Sequence, residues 1–239
     1  MSRLYLVRHG QASFLEPDYD RLSPKGELQA RTLGEYWVRR VQPFDRAGSG
    51  PLVRQRRTAA IVAEAYAAAR LSYPETVILP EFDEYRIEEV VKQSLARLLE
   101  SDAQVAALYA DFERATDPSA QRRAFQKVLE VVMDQWVSGR LTVPGVETWL
   151  EFCGRVNRGI TRFLSGGRKG EESVIFCSGG PIAVAVERAL HLDPRDTLRT
   201  SWMSRNCSYS EFLWSGERFT LSSFNSFPHL DEPSLLTYR

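Results

Sequence analysis

Leu4-Tyr5-Leu6-Val7-Arg8-His9-Gly10 lies at the start of the 239-residue chain. Four apolar or aromatic residues run straight into a cation, an imidazole and a residue with no side chain. An unbroken apolar run of this length fits a buried strand. Its end would present Arg8 and His9 side by side, next to backbone that Gly10 leaves uncovered. Guanidinium and backbone N–H groups are the donors that suit an anionic oxygen group, so this strand end is the first candidate site.

Working outward, residues 14–21 read as a loop, and Ser23-Pro24 as a helix start, with a side-chain cap followed by proline at the first helical position. Ala30, Leu33 and Trp37 recur at helical spacing and predict a helix to about residue 40. Gly26 in its first turn points to close packing or close ligand approach. A short strand fits within 43–51, and an Ala-rich helix is expected over 58–69. Between them, Arg54-Gln55-Arg56-Arg57 reads either as a solvated helix face or as a cationic clamp. A further strand over 76–79, closed by Pro80, delivers the acidic loop Glu81-Phe82-Asp83-Glu84, either a surface cluster or the source of a proton donor.

From about residue 88 the strands vanish. Phe125, Val128, Leu129, Val132 and Trp136 form one helical stripe, which predicts a helical insertion at about 88–144 with Tyr109, Phe112 and Trp136 as core aromatics. Asp117-Pro118-Ser119 separates two of its helices. Another helix follows Pro144-Gly145, burying Val156, Ile160, Phe163 and Leu164 and ending at Gly166-Gly167. Next, 173–177 reads as a buried strand, Ser178-Gly179-Gly180 as a tight turn, and Pro181 as the opening of a helix to Leu190. Such a passage aims backbone amides and a positive helix end into one small volume. A hairpin of 209–214 and 219–224, joined by Ser215-Gly216-Glu217-Arg218, completes the pattern.

Lys and Arg total 31, as do Asp and Glu. This balance excludes the overall positive field that nucleic-acid or anionic-membrane binding calls for. Cys153, Cys177 and Cys207 show neither metal-ligand spacing nor an even count, so neither a zinc site nor a disulfide framework is expected. The first ten residues enter a strand directly, leaving no room for a signal peptide, and no apolar run approaches a membrane span, so a cytoplasmic location is expected.

Strands alternating with helices predict an α/β, three-layer α/β/α domain with a mostly parallel sheet and the helical insertion, the whole chain forming one domain. Such sheets bind ligands beyond the carboxyl ends of their strands. Arg8-His9-Gly10, the acidic loop and Ser178-Gly179-Gly180 all sit at predicted carboxyl ends, and Arg54 follows a fourth. Two arginines, a glycine turn and a helix start would hold a tetrahedral phosphoryl group, and an imidazole can attack phosphorus. Other chemistries fail on spacing. A cysteine phosphatase needs Arg six residues after its Cys, where Cys177 is followed by Ala183. A serine-hydrolase elbow needs Gly where Phe176 precedes Ser178. No Walker-type phosphate loop is present.

The same elements resemble the histidine phosphatase superfamily, the phosphoglycerate-mutase-like proteins. Arg8-His9-Gly10 is followed by Leu22-Ser23-Pro24-Lys25-Gly26-Glu27-Leu28-Gln29-Ala30, then by Pro51-Leu52-Val53-Arg54 with Thr58-Ala59. Gly179-Gly180 and Asn206-Cys207-Ser208 match the late elements. The resemblance covers roughly 3–90 and 145–230. It implies that His9 is a nucleophile that becomes phosphohistidine and that Arg8 and Arg54 clamp the phosphoryl oxygens. It implies an acid from the acidic loop, Glu84 or Glu81, with Glu84 preferred. Gly10, Gln11, Ser13, Gly179 and Asn206 would line the substrate, a small phosphorylated molecule. No metal or cofactor is called for, because arginines supply the charge.

One position departs from the pattern. The family carries a second histidine immediately before the late Gly-Gly, and this chain has Ser178 there. A hydroxyl can donate one hydrogen bond but supplies no charge, and losing one preorganised stabiliser typically costs about a hundredfold to a thousandfold in rate. His191 reads as a helix C-terminal cap residue, and His229, in the C-terminal loop Phe227-Pro228-His229-Leu230, reads first as structural while being the one candidate to replace the missing ring. The expected function is thus a phosphomonoesterase of reduced activity. The alternatives are a catalytically impaired phospholigand-binding or regulatory protein and a phosphoglycerate mutase-type phosphotransferase.

Overall fold

The computed structural model describes residues 1–13, 20–216 and 218–238. The opening apolar run forms β1 (Ser2–Arg8), in which Leu4, Leu6 and Val7 are fully buried. A strand covered on both faces belongs in the middle of a sheet, and β1 does lie there. After α1 (Pro24–Arg39), β2 (Arg46–Ser49), α2 (Val53–Ala68) and β3 (Thr76–Ile78), the chain returns to the sheet as β4 (Glu172–Cys177). It ends in β5 (Tyr209–Ser215) and β6 (Arg218–Ser226). The strand order is β3-β2-β4-β1-β5-β6. The first four strands of that order are mutually parallel, and the β5–β6 hairpin adds antiparallel to β1. The carboxyl ends of β1 and β4 are therefore neighbours, with Arg8 paired to Cys177.

The chain divides into two compact units, residues 1–84 with 155–239, and residues 85–154. In the α/β unit, α1 and α2 cover one sheet face. There Tyr5, Val7, Val174 and Phe176 pack with Leu33 and Trp37 of α1 and Ile61 and Val62 of α2. The side chains of β1 alternate between faces. On the other face lie α7 (Gly179–Leu190), against β1, and the later residues of α6 (Trp149–Leu164), whose Phe163 reaches Gly48 of β2.

Helix boundaries follow local chemistry. Ser23 caps α1 by accepting from the Gly26 N–H at 3.1 Å, with Pro24 at the first helical position, as the sequence predicts. Helix α2 begins at Val53 rather than at 58, which sets Arg54 inside its first turn. Helix α7 begins at Gly179 rather than after Pro181, and His191 ends it in the left-handed conformation at φ 56°. An Asp-Pro start that the sequence reading passed over, Asp193-Pro194, opens α8 (Pro194–Met203). The turn residue Glu217 lies outside the described residues, as do 14–19 of the predicted loop.

The second unit contains α3 (Ile87–Ser101), α4 (Ala103–Arg114) and α5 (Pro118–Val137). Asp117 caps α5 through the Ala120 N–H. Val128, Leu129, Val132 and Trp136 form its buried stripe, whereas Phe125 at the end of that stripe is 37% exposed. It meets Phe112 at 5.4 Å between ring centroids, and Tyr109 and Phe112 are only partly buried. Trp136 alone of the three expected core aromatics is fully enclosed, against Tyr85 and Trp149. Among the described residues, no helix is long and apolar enough to cross a membrane.

Candidate active site

His9 follows the last residue of β1 and is 5% exposed. Its main chain is fixed by hydrogen bonds from both neighbouring strands' extensions. The His9 N–H donates to Cys177 O at 2.9 Å, and its carbonyl accepts from the Cys207 N–H at 3.2 Å and the Asn206 side chain at 3.3 Å. The ring is fixed by partners of unambiguous polarity. Nδ1 lies 2.7 Å from Gly10 O, which can only accept, so Nδ1 carries the proton. Nε2 lies 3.1 Å from Arg54 Nε–H, which can only donate, so Nε2 holds a lone pair. Burial holds the imidazolium form well below the usual histidine range, and the charges of Arg54 and Arg8 push the same way; the Gly10 carbonyl opposes them weakly. A neutral ring with a bare Nε2 is the form a nucleophile requires.

Arg54 is anchored by Asp20. Nη1 donates to Asp20 Oδ1 at 2.8 Å, and Asp20 Oδ2 accepts from the Val53 N–H at 2.7 Å in the first turn of α2. This carboxylate at a helix N-terminus both caps α2 and aims Arg54 at His9. Of the arginine cluster, Arg57 pairs at the surface with Glu27 and Glu64 and Arg56 is exposed, so the solvated-face reading holds for those two. Arg8 donates from Nη1 to Ser204 O.

Gly10 and Gly26 are glycine because the two backbones nearly touch. A Cβ on Gly10 would lie 2.4 Å from Gly26 O, and one on Gly26 would lie 2.1 Å from Gln11 O. Gln29, fully buried, accepts from the Gln11 N–H at 2.8 Å and donates to Leu235 O and Thr237 Oγ1. Gln11 Oε1 accepts from Ser23 Oγ, and the Ser13 N–H donates to Arg21 O. The Gly10 N–H donates to Thr58 Oγ1 at 3.1 Å.

Ser178, 1% exposed, stands at the end of β4 and is the N-cap of α7, but its side chain does not cap that helix. Its Oγ accepts instead from Gln55 Nε2 at 2.8 Å. A Cβ on Gly179 would lie 2.7 Å from Ser201 O, so this position too needs a bare backbone. The Gly180 N–H donates to Glu84 Oε2 at 3.0 Å. Glu81, the other candidate acid, pairs its carboxylate with Arg162 at 2.8 Å, and Arg155 Nη1 holds the Glu81 carbonyl. Glu84 is therefore the member of the acidic loop that faces the start of α7.

Asn206 is buried behind the site, its Nδ2 on His9 O and its Oδ1 accepting from Thr237 Oγ1. His229 is 2% exposed and stacks on Tyr209 at 6.2 Å with Tyr36 on its flank. Its surroundings are aromatic core. Burial also raises the thiol of Cys177 well above its usual range, with the charge of Glu84 adding to it, which leaves no thiolate to act as a nucleophile. Sequence reasoning missed Gln55 and Asp20. Neither carries a local signal, because each acts on groups far away in the chain.

At adjacent strand ends of a doubly covered α/β sheet, the fold brings together a buried neutral histidine, two arginines and a glycine turn. The sequence matches the profile of the histidine phosphatase superfamily (branch 1) over residues 4–134 and 119–226, and the chain belongs to that superfamily. No curated protein sequence matched the chain. Among solved structures, it is similar to an alpha-ribazole phosphatase from Shigella flexneri, at 19% identity and TM-score 0.61, covering 94% of this chain and 96% of that one. It is also similar to a phosphoserine phosphatase from Entamoeba histolytica in complex with 3-phosphoglyceric acid, at 17% identity and TM-score 0.62, covering 96% and 100%. A phosphoglycerate mutase from Bacillus anthracis str. Sterne gives 16% identity and TM-score 0.62, with 96% and 95% covered. At these identities the likeness is one of fold.

Proposed function

We propose that the protein is a metal-independent phosphomonoesterase acting on a small phosphorylated substrate through a phosphohistidine at His9. The observation that carries this reading is the fixed tautomer of His9: protonated at Nδ1 by Gly10 O, bare at Nε2, and faced there by Arg54. In the first step Nε2 attacks phosphorus as the ester P–O bond breaks. The phosphoryl oxygens take over the Arg54 Nε–H and draw on Arg8. A protonated Glu84 gives its proton to the leaving oxygen. In the second step Glu84 accepts a proton from water, the hydroxide attacks phosphorus, and the P–N bond breaks to release phosphate. The arginines supply the positive charge that a metal ion would otherwise bring.

Gly10, Gln11, Ser13 and Gly179 present backbone and side chain around the substrate, while Asn206 acts from behind by fixing the His9 carbonyl. Hydrolysis is favoured over phosphoryl transfer to a second substrate hydroxyl, since among the described residues no second set of buried cations accompanies the first. Reading the protein as a binder without turnover rests on Ser178 alone. The hydrogen bond from Gln55 argues against it, because the position is built around the hydroxyl. The test is release of phosphate from an aryl phosphate, with chelator present, by wild type and His9→Ala. His9-dependent turnover supports the phosphatase, and binding of phosphate without turnover supports the binder.

A further inference from the structure

Gln55 is fully buried, and its amide is oriented by two backbone groups of fixed polarity. Oε1 accepts from the Leu52 N–H at 3.1 Å, which can only donate, and Nε2 donates to Phe82 O at 3.2 Å, which can only accept. The amide cannot be flipped without setting like against like at both ends. Space for it is made by Gly50, where a Cβ would lie 2.2 Å from Gln55 Oε1 and 2.6 Å from Phe82 O. The bracket joins the start of α2, which carries Arg54, to the loop that carries Glu84.

With Oε1 and one N–H so engaged, the remaining N–H of Gln55 meets Ser178 Oγ at 2.8 Å. A serine hydroxyl that accepts this bond has one proton left to give. Among the described residues no group accepts that proton. Ser178 directly follows Cys177, whose carbonyl holds the His9 N–H, so hydroxyl and imidazole lie just past the carboxyl ends of two paired strands. We infer that Gln55 is a positioning residue: it holds Ser178 Oγ as an acceptor on one side, so that the hydroxyl proton is aimed at the phosphoryl group on the other. A preorganised donor needs no reorientation during reaction, which is where its effect on rate arises. This inference rests on the phosphatase reading above.

Gln55→Glu tests it. An ionised carboxylate only accepts; it takes the Leu52 N–H and the Ser178 O–H, turning the hydroxyl proton away from the site. Protonated, it can again donate. The variant is expected to lose about tenfold to a hundredfold in kcat/KM at alkaline pH. The loss should shrink as pH falls and the new carboxyl protonates. In a Ser178→Ala background, where there is no hydroxyl to turn, the same substitution should produce a much smaller pH-dependent loss. An equal loss in both backgrounds would mean simple charge repulsion and would overturn the inference, as would a wild-type pH profile in Gln55→Glu. If Gln55→Glu fails to fold by circular dichroism, the neutral Gln55→Met replaces it. The inference then requires a fall in kcat with Ser178 present and none in Ser178→Ala, and additive losses overturn it. Calorimetric titration of wild type with inorganic phosphate separates the levels. Neither binding nor turnover in wild type refutes the phosphate site and this inference with it, whereas a working wild type with an unaltered variant refutes the role of Gln55 alone.

Discussion

Replacing His229 with phenylalanine separates a structural ring from a catalytic one. His229 is the sole candidate in the sequence to stand in for a second histidine, yet it lies between Tyr36 and Tyr209 with neither ring nitrogen in a hydrogen bond of normal geometry. Burial pushes its pKa down to about 4, with the Cys207 backbone opposing only weakly. A histidine with a lowered folded pKa is neutral in the native state while the unfolded chain takes up a proton below its ordinary pKa of about 6.5. Stability is therefore lost as pH falls from about 6.5 towards 4. Linkage gives a loss of about 2 kcal/mol from this group between about pH 7 and pH 5. His229→Phe keeps the stack and removes that loss. For a chain of this size, the variant should melt about 4–8 °C further above wild type at pH 5 than at pH 7. His9, also buried and neutral, contributes equally to both proteins and cancels. Thermal melts of the two proteins at the two pH values provide the assay, with phosphatase activity measured alongside. Equal pH sensitivity, or loss of activity in a folded variant, would refute the assignment of His229 to the aromatic core.

Arg54→Lys retains a charge but lacks the Nε–H that faces His9 Nε2 and the fork that reaches Asp20; kcat should fall about a hundredfold to a thousandfold, and a near wild-type value would show that charge alone suffices. Glu84→Gln should slow leaving-group release in a single turnover by about a hundredfold or more for an alkyl phosphate, whose leaving oxygen needs a proton, while sparing that first step for an aryl phosphate, and equal losses in that step would remove Glu84 from the proton-donor role. Ser178→His forces an imidazole into the place of the Gln55 amide; overpacking should destabilise the fold by about 1–3 kcal/mol without raising turnover, measured by denaturant titration and initial rates.

What the sequence made legible is what local chemistry determines. Ser23-Pro24 announced its helix because cap and proline act within one turn, and Asp117-Pro118, read as a break between helices, opens α5 by the same chemistry. The Leu4–Val7 run identified a buried strand because burial on both faces leaves no polar alternation. Asp193-Pro194 carries the same signal and could have been read from it. Alternatives that depend on which way a side chain faces were not legible. Glu84 and Glu81 are three residues apart, and only the partner of each, Gly180 or Arg162, separates them. Gln55 looked like one polar residue among arginines, because its partners Phe82 and Ser178 lie 27 and 123 positions away. The stripe ending at Phe125 had the right period, yet period alone does not say where a buried face stops.

The most direct test of the account is to find the phosphoryl group on the protein. Wild type is mixed with an aryl phosphate, quenched in alkali within its first turnovers, digested and examined by mass spectrometry under conditions that preserve phosphoramidates. The account predicts an acid-labile, alkali-stable phosphoryl group on the peptide containing His9, absent from His9→Ala and longer lived in Glu84→Gln. Turnover by wild type with no such adduct, or with the label on another residue, would contradict it.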